Sequence, residues 1–361
     1  MSNTKSRIFL SPPFVGAAER AAVARAFDSG YVAPCGPQVD EFERRLAKLA
    51  GRKYAVAVSS GTAAIDLLMA ELGVDETWTV FAPTLTFIAT VGPAFHRGAK
   101  LVFVDSDATG NIDVSLLEKA LGSLRAKKAL VVGVDLYGNC CDYGAIAKLC
   151  RKFGAVFVTD AAEAVGATRE GRPAGSAGLA GVYSFNGNKI ITTSGGGAIV
   201  TDDRGLAERA RKRAQQSREK CVWYEHKEVG YNYRLSNILA ALGLAQLGRL
   251  PAILRKREAN FKWYAKNWKG DLLAPTPGAN HWLTVALLAS RRERDRLLRR
   301  FAAADIEARP VWKPLHLQPV FAKCRVFGGE VAEALFERGV CLPSGTGLKS
   351  GDFARIARCI S

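Results

Sequence analysis

The chain has 361 residues, 48% hydrophobic and 24% charged, with a formal charge of +17. That length suits two domains around a large core; no apolar run reads as long enough to cross a membrane, and the opening MSNTKSRIFLSPP lacks a signal-peptide core, so a cytoplasmic protein is expected. Eight cysteines without a Cys-x-x-Cys pair and four scattered histidines argue for reduced thiols and no metal. The charge admits nucleic acid, an acidic surface or anionic small molecules as partners. No nucleic-acid module or aromatic-basic alternation accompanies it, so nucleic acid is the lesser expectation. The arginine-rich stretch 291–300 reads as a solvated helix face.

In chain order, residues 14–50 read as largely helical with a break at 33–37, closed by Gly51 as a C-cap. Residues 53–58, KYAVAV, read as a strand. The next helix opens at Gly61–Thr62 and should bury Ile65, Leu68, Met69 and Leu72. Such a helix start presents free amides and a hydroxyl to a phosphate, although plain strand-to-helix capping reads the same. Stretches 80–81, 83–88 and 101–105 continue the alternation. Phe87 reads equally as a core aromatic. Residues 129–136 form another buried strand, ending at LYGN, and Cys150 falls on the packed face of a helix. Repeated strand–helix units predict an α/β fold whose mainly parallel central sheet is covered on both faces.

Residues 155–160, AVFVTD, are an apolar run ending in an acid, the pattern of a strand buried on both faces. Asp160 then sits at a strand's carboxyl end, where open α/β sheets bind ligands. A buried acid needs a cation or donor; capping a helix would also supply one.

The stretch GVYSFNGNKIITTSGGG, residues 181–197, organises the chain. Apolar residues 182–185 and 198–201 read as strands, with Lys189 on the loop between them among Ser184, Asn186, Asn188, Thr192 and Thr193. A lysine held there can form a Schiff base with a carbonyl; a solvated hairpin lysine looks the same locally. A strand-end Asp followed downstream by such a lysine is the pattern of fold-type I pyridoxal-phosphate enzymes, in which a carboxylate keeps the ring nitrogen protonated.

Residues 204–250 read as helical, interrupted at 221–233, and the pair Leu250–Pro251 as the start of a second domain. The expected division is a large cofactor-binding domain, 1–249, whose N-terminal segment is free to pack on the other, and a smaller α+β domain, 250–361. The latter should contain a helix over 252–268, a strand over 282–289, a helix over 292–304, and strands over 306–312 and 340–343.

The motifs DAAEA (160–164), SFNGNKIITTSGGG (184–197), GYNYRLSN (230–237), EARPVWKPLH (307–316) and LPSGTGL (342–348) occur in this order. Together they resemble the sugar-nucleotide aminotransferases of the DegT/StrS family over nearly the whole chain. LSPP (10–13), LYGN (136–139), GNKIITTSGGG and REKCVWYEH (218–226) resemble its Pgl-type branch, which aminates UDP-4-keto-6-deoxy-N-acetylglucosamine. The resemblance implies pyridoxal phosphate as cofactor, L-glutamate as donor and a UDP-sugar as acceptor. It implies that Lys189 and Asp160 are catalytic, and that Gly61, Thr62, Phe87, Glu163 and Ser184 hold the cofactor. Glu163 stands where relatives carry Gln, His or Glu; alone it reads as a surface acid. Asn232 would reach the phosphate of a second subunit, making a homodimer with shared sites; alone it reads as a turn asparagine. Trp312 and His316 would face the substrate, although His316 also reads as a satisfied loop histidine. Lysine at 189 counts against the sugar dehydratases of the same fold, which lack it.

Overall fold

The structure, a computed structural model, describes residues 6–124 and 127–360. Short runs of β-branched and aromatic residues bounded by Gly, Asn and Asp become strands, as their propensities direct. In chain order these are β1 (Tyr54–Val58), β2 (Trp78–Pro83), β3 (Lys100–Val104), β4 (Lys128–Val134), β5 (Val156–Asp160) and the hairpin β6 (Thr168–Arg169) and β7 (Arg172–Pro173). Then follow β8 (Ala180–Ser184), β9 (Gly197–Thr201), β10 (Asp271–Leu272), β11 (Thr284–Leu287), β12 (Arg309–Pro310), β13 (Arg325–Phe327) and β14 (Gly339–Leu342). The α-helices are α1 (Ala17–Asp28), α2 (Pro37–Leu49), α3 (Gly61–Glu71), α4 (Gly92–His96), α5 (Val114–Leu124) and α6 (Tyr143–Phe153). They continue with α7 (Arg204–Ala214), α8 (Asn237–Asn267), α9 (Arg291–Ala303), α10 (Glu330–Arg338) and α11 (Ser350–Ile360).

The main sheet has the order β1-β9-β8-β5-β4-β2-β3-β13. Only β9 runs against the others, pairing antiparallel with β1 and β8. Period-two alternation divides each strand between two cores. Ala55, Ala57, Phe81 and Val131 face one, while Val56, Val58, Val80 and Val132 face the other. A smaller antiparallel sheet, β10-β11-β14-β12, covers a third core with Ile8, Phe301, Leu342 and Ile356.

Several expectations need correction. The break in the helix expected at Leu250–Pro251 is absent: α8 is a continuous helix of 31 residues with Pro251 in its interior. Its flanks have a face to bury on either side of Pro251, so packing overrides the break. The C-terminal part is also not confined to the small sheet: β13 adds to the main sheet beside β3, and Phe321 joins a main-sheet core. The strand expected over 306–312 shrinks to Arg309–Pro310, with Ile306 instead bridging to Ile8 of the N-terminal segment. Finally, α8 is long and apolar enough, by length and composition, to cross a membrane. In the fold it packs along α1 and α2, so it is a spine between layers.

Candidate active site

The carboxyl ends of the parallel strands, the start of α3 and the loop 185–196 enclose a cavity of about 1120 Å³. Gly61, Thr62, Phe87, Asp160, Glu163, Ser184, Lys189 and Trp312 all line it, so residues far apart in sequence meet on one surface.

Asp160 ends β5 and is buried. Its Oδ2 accepts from Thr90 Oγ1 at 2.7 Å and its Oδ1 from the Ala162 amide at 3.1 Å. Thr86 and Thr90 share a bond of 2.8 Å, making a short hydroxyl chain behind the acid. Burial pushes Asp160 up against these donors, with Lys189 opposing the rise from further away. A cation placed against this carboxylate would favour its ionised form.

Lys189 follows β8 on the loop. Its Nζ donates to Glu163 Oε1 at 3.1 Å and lies 4.1 Å from the centroid of the Trp282 ring. Glu163 Oε2 accepts the amide of Tyr137 at 2.8 Å. Tyr137 holds φ at 54°, a conformation uncommon for a bulky side chain. Burial pushes Glu163 up, and Lys189 is the main opposing influence. Glu163 is therefore an inward-facing partner of the lysine, and its reading as a surface acid fails.

The start of α3 could receive an anion. Ser60 caps it by accepting from the Ala63 amide, which leaves the amides of Gly61 and Thr62 as the free donors of the first turn. Ser184, at the end of β8, packs against this turn. A Cβ on Gly61 would lie 2.9 Å from Ser184 Cβ, and one on Gly197 would lie 2.5 Å from Gly61 N. Glycine at both positions lets strand, turn and helix close into a shallow cradle. Phe87, 56% exposed, offers a free ring face to the cavity and contacts Trp312 at 5.6 Å between centroids.

A profile of the DegT/DnrJ/EryC1/StrS aminotransferases matches residues 13–361. The chain belongs to this family. Its members are pyridoxal-phosphate-dependent sugar aminotransferases, and this chain is an enzyme of that class. EpsN of Bacillus subtilis is 42% identical over 97% of this chain and 94% of its own length. The GDP-perosamine synthase of Caulobacter vibrioides is 36% identical, over 97% and 96%. Spr1654 of Streptococcus pneumoniae, solved in its PLP form, superposes with a TM-score of 0.89 at 27% identity, covering 98% of both chains. The residues here fit that cofactor. Asp160 is a buried acid bonded, among the described residues, by neutral donors, the α3 cradle is closed by two glycines, and Lys189 lines the same cavity.

Two expected site residues lie outside the cavity. His316 occupies a 3₁₀ turn, Leu315–Leu317. Its Nδ1 bonds Thr84 Oγ1 at 2.6 Å and its Nε2 bonds Glu333 Oε1 at 3.0 Å, so it ties α10 to the main sheet, and Trp312 and Lys313 take the wall before it. Asn232 is exposed and pairs with Gln215 in a bridge beyond α7, away from this chain's own cavity. Sequence reasoning missed Ser11, Thr86, Thr90, Tyr137 and Trp282. The threonines carried a signal: hydroxyls in the apolar stretch PTLTFIAT need buried partners.

Proposed function

We propose that the enzyme transfers an amino group from L-glutamate to C4 of a nucleotide-linked 4-keto-6-deoxy sugar. The acceptor we favour is a UDP-2-acetamido-2,6-dideoxy-4-ketohexose, giving a UDP-4-amino sugar for glycan synthesis in the cytoplasm. The observation that carries the chemistry is a lysine amine 3.1 Å from a buried carboxylate, in a cavity that also holds Asp160. The UDP reading rests on the Pgl-type stretches, three of which furnish the site: Pro12 and Pro13, Gly187–Lys189, and Tyr137 beside Glu163. A GDP-linked acceptor is the second reading, favoured by the likeness to a GDP-perosamine synthase along the whole chain. A nucleic-acid role has charge alone behind it.

When bound, pyridoxal phosphate supplies a carbonyl for the donor's amino group and a ring that takes up the electrons of the broken Cα–H bond. Lys189 Nζ anchors it at rest. Once freed by the donor, the same amine takes the proton from the donor's Cα and redelivers it, which an acid could do but without the anchoring. Glu163 receives the ammonium form of Lys189 between these tasks. Asp160 keeps a proton on the ring nitrogen by charge. The Gly61 and Thr62 amides and the Ser184 hydroxyl hold the phosphate, and Phe87 covers the ring. Trp312 lies on the substrate side.

A homodimer is part of this reading. Val222, Trp223, Tyr224 and Val229 are 64–96% exposed on one loop, an apolar cluster suited to a second copy, and Asn232 follows it.

Incubation of the purified protein with glutamate and UDP-, dTDP- and GDP-4-keto-6-deoxy sugars, with products identified by NMR, tests the proposal. Turnover of the UDP-N-acetylhexosamine is expected. Turnover of only GDP- or dTDP-sugars would overturn the nucleotide and leave the reaction class. Lys189→Ala should lose both turnover and the visible absorbance of bound cofactor; retained turnover would remove Lys189 from its role.

A further inference from the structure

Arg257, on the C-terminal half of α8, is 1% exposed, and among the described residues no carboxylate bonds it. A guanidinium buried without a counter-ion is costly unless its donors are well satisfied, and here four bonds satisfy it. Nε donates to Thr346 Oγ1 at 3.1 Å, Nη1 to the carbonyls of Trp282 at 2.9 Å and Ser344 at 2.8 Å, and Nη2 to Ser11 Oγ at 3.0 Å. The fork is rigid and planar, so it fixes its partners relative to one another.

Two of those partners converge again. Ser11 Oγ donates to the carbonyl of Asn188 at 2.7 Å, and Trp282 Nε1 donates to the same carbonyl at 2.7 Å. Asn188 precedes Lys189. One oxygen thus accepts two bonds from donors that a common guanidinium holds, and the peptide plane leading into Lys189 loses its freedom to rotate. The Trp282 ring, fixed at both its carbonyl and its indole nitrogen, lies beneath Lys189 Nζ at 4.1 Å.

We propose that Arg257, Ser11 and Trp282 form a positioning unit for Lys189. Arg257 sets Ser11 and Trp282, these two set the Asn188 carbonyl, and the Trp282 face directs Nζ toward Glu163. The unit joins the N-terminal segment, α8 and the approach to β11, so the amine is aligned only when all three are packed. This rests on Lys189 being the cofactor-binding lysine.

The test uses the holoenzyme with four single variants and one double variant. Ser11→Ala and Trp282→Phe each remove one bond to the Asn188 carbonyl. Each is expected to lower kcat about tenfold, the loss of about one hydrogen bond's alignment, with the KM for the donor changed less than about twofold. Because the two bonds share one acceptor, the double variant should lose clearly less than the product of the single losses. Trp282→Leu removes the π face that favours a cation at Nζ. The pH midpoint of the visible absorbance of Lys189-bound cofactor should then fall by about half a pH unit. Arg257→Met should match the double variant in kcat while its melting curve shows a folded protein; if it does not fold, the other four variants decide. Single losses that simply multiply, or a Trp282→Leu midpoint equal to wild type, would overturn the proposal. Loss of cofactor binding in Lys189→Ala together with that unchanged midpoint would overturn the positioning unit and leave the role of Lys189 standing.

Discussion

Asp135, Asp160 and Glu163 show one functional group in three settings. Glu163 has a lysine; Asp160 has two neutral donors; Asp135 accepts from Tyr143 Oη at 2.5 Å and the Cys141 amide at 3.0 Å, with the Cys141 thiol beside it. Burial pushes Asp135 from its ordinary 3.8 up to about 7, and Asp160 nearby adds to the rise. The folded protein therefore holds a proton that the unfolded chain releases near 3.8. The stability from that proton is complete below pH 3.8 and is lost as pH rises through about 7. Asparagine is neutral throughout and can still accept the Cys141 amide. Asp135→Asn should thus gain on wild type as pH rises, by more than about 1 kcal/mol between pH 5 and pH 8, since a tenfold difference in proton affinity is worth about 1.4 kcal/mol. Urea unfolding at the two pH values measures this. An equal difference at both would mean that Asp135 titrates like an exposed acid.

At the scale of elements, α8 does the joining. Its first half packs small residues on α1, with Ala241 against Ala22 and Ala26, and Gly243 admits Phe42, whose ring would be 2.6 Å from any added Cβ. Its second half is polar inside: besides Arg257, Asn260 Nδ2 donates to the carbonyls of Ser344 and Gly345, and Tyr264 Oη donates to Pro343 O. These bonds satisfy the irregular backbone after β14, which must be paired once buried. Pro251 lies between the halves on the exposed side. It cannot donate to the carbonyl one turn earlier and its ring crowds that turn. Pro251→Ala should stabilise the protein by about 1–2 kcal/mol, part of the usual cost being offset by the freer unfolded chain. A melting temperature that falls instead would show that the proline is needed to seat both halves.

At the scale of the whole molecule, part of the basic excess is used internally. Glu43 pairs Arg211 and Arg234, Glu71 pairs Arg209 and Arg213, and Glu19 pairs Arg249, so buried acids pin arginines of later elements to earlier ones. The assembly can be tested through Asn232. If it approaches the cofactor phosphate of a second subunit, Asn232→Asp sets like charges against each other there and weakens cofactor binding. Mixing this variant with Lys189→Ala and allowing subunit exchange places both lesions in one site of a mixed dimer and none in the other. Activity should return to roughly a quarter of wild type for random pairing and independent sites. A mixture that stays inactive despite measured exchange would show that Asn232 acts within its own chain.

Period-two alternation and strand-end chemistry are local properties, so the sequence by itself determined the two-faced sheet, the end of β5 at Asp160, the loop bearing Lys189 and the glycine-marked start of α3. The order of motifs was equally legible, and with it the family. What depends on the meeting of distant segments was not. The resemblance implies a substrate-side role for His316; which partners its nitrogens bond, Thr84 and Glu333, only the fold shows. Leu250–Pro251 reads as a helix break because proline interrupts an isolated helix, while packing on both flanks carries α8 through it. Glu163 faces inward, where the Tyr137 amide and Lys189 Nζ donate to its carboxylate. Arg257 gives no sign of importance in a basic chain, since a cation's value depends on what surrounds it. Only the tertiary structure removes its water and brings Ser11 and Trp282 to its fork, because hydrogen bonds between residues far apart along the chain leave no periodicity in the sequence for a reader to find.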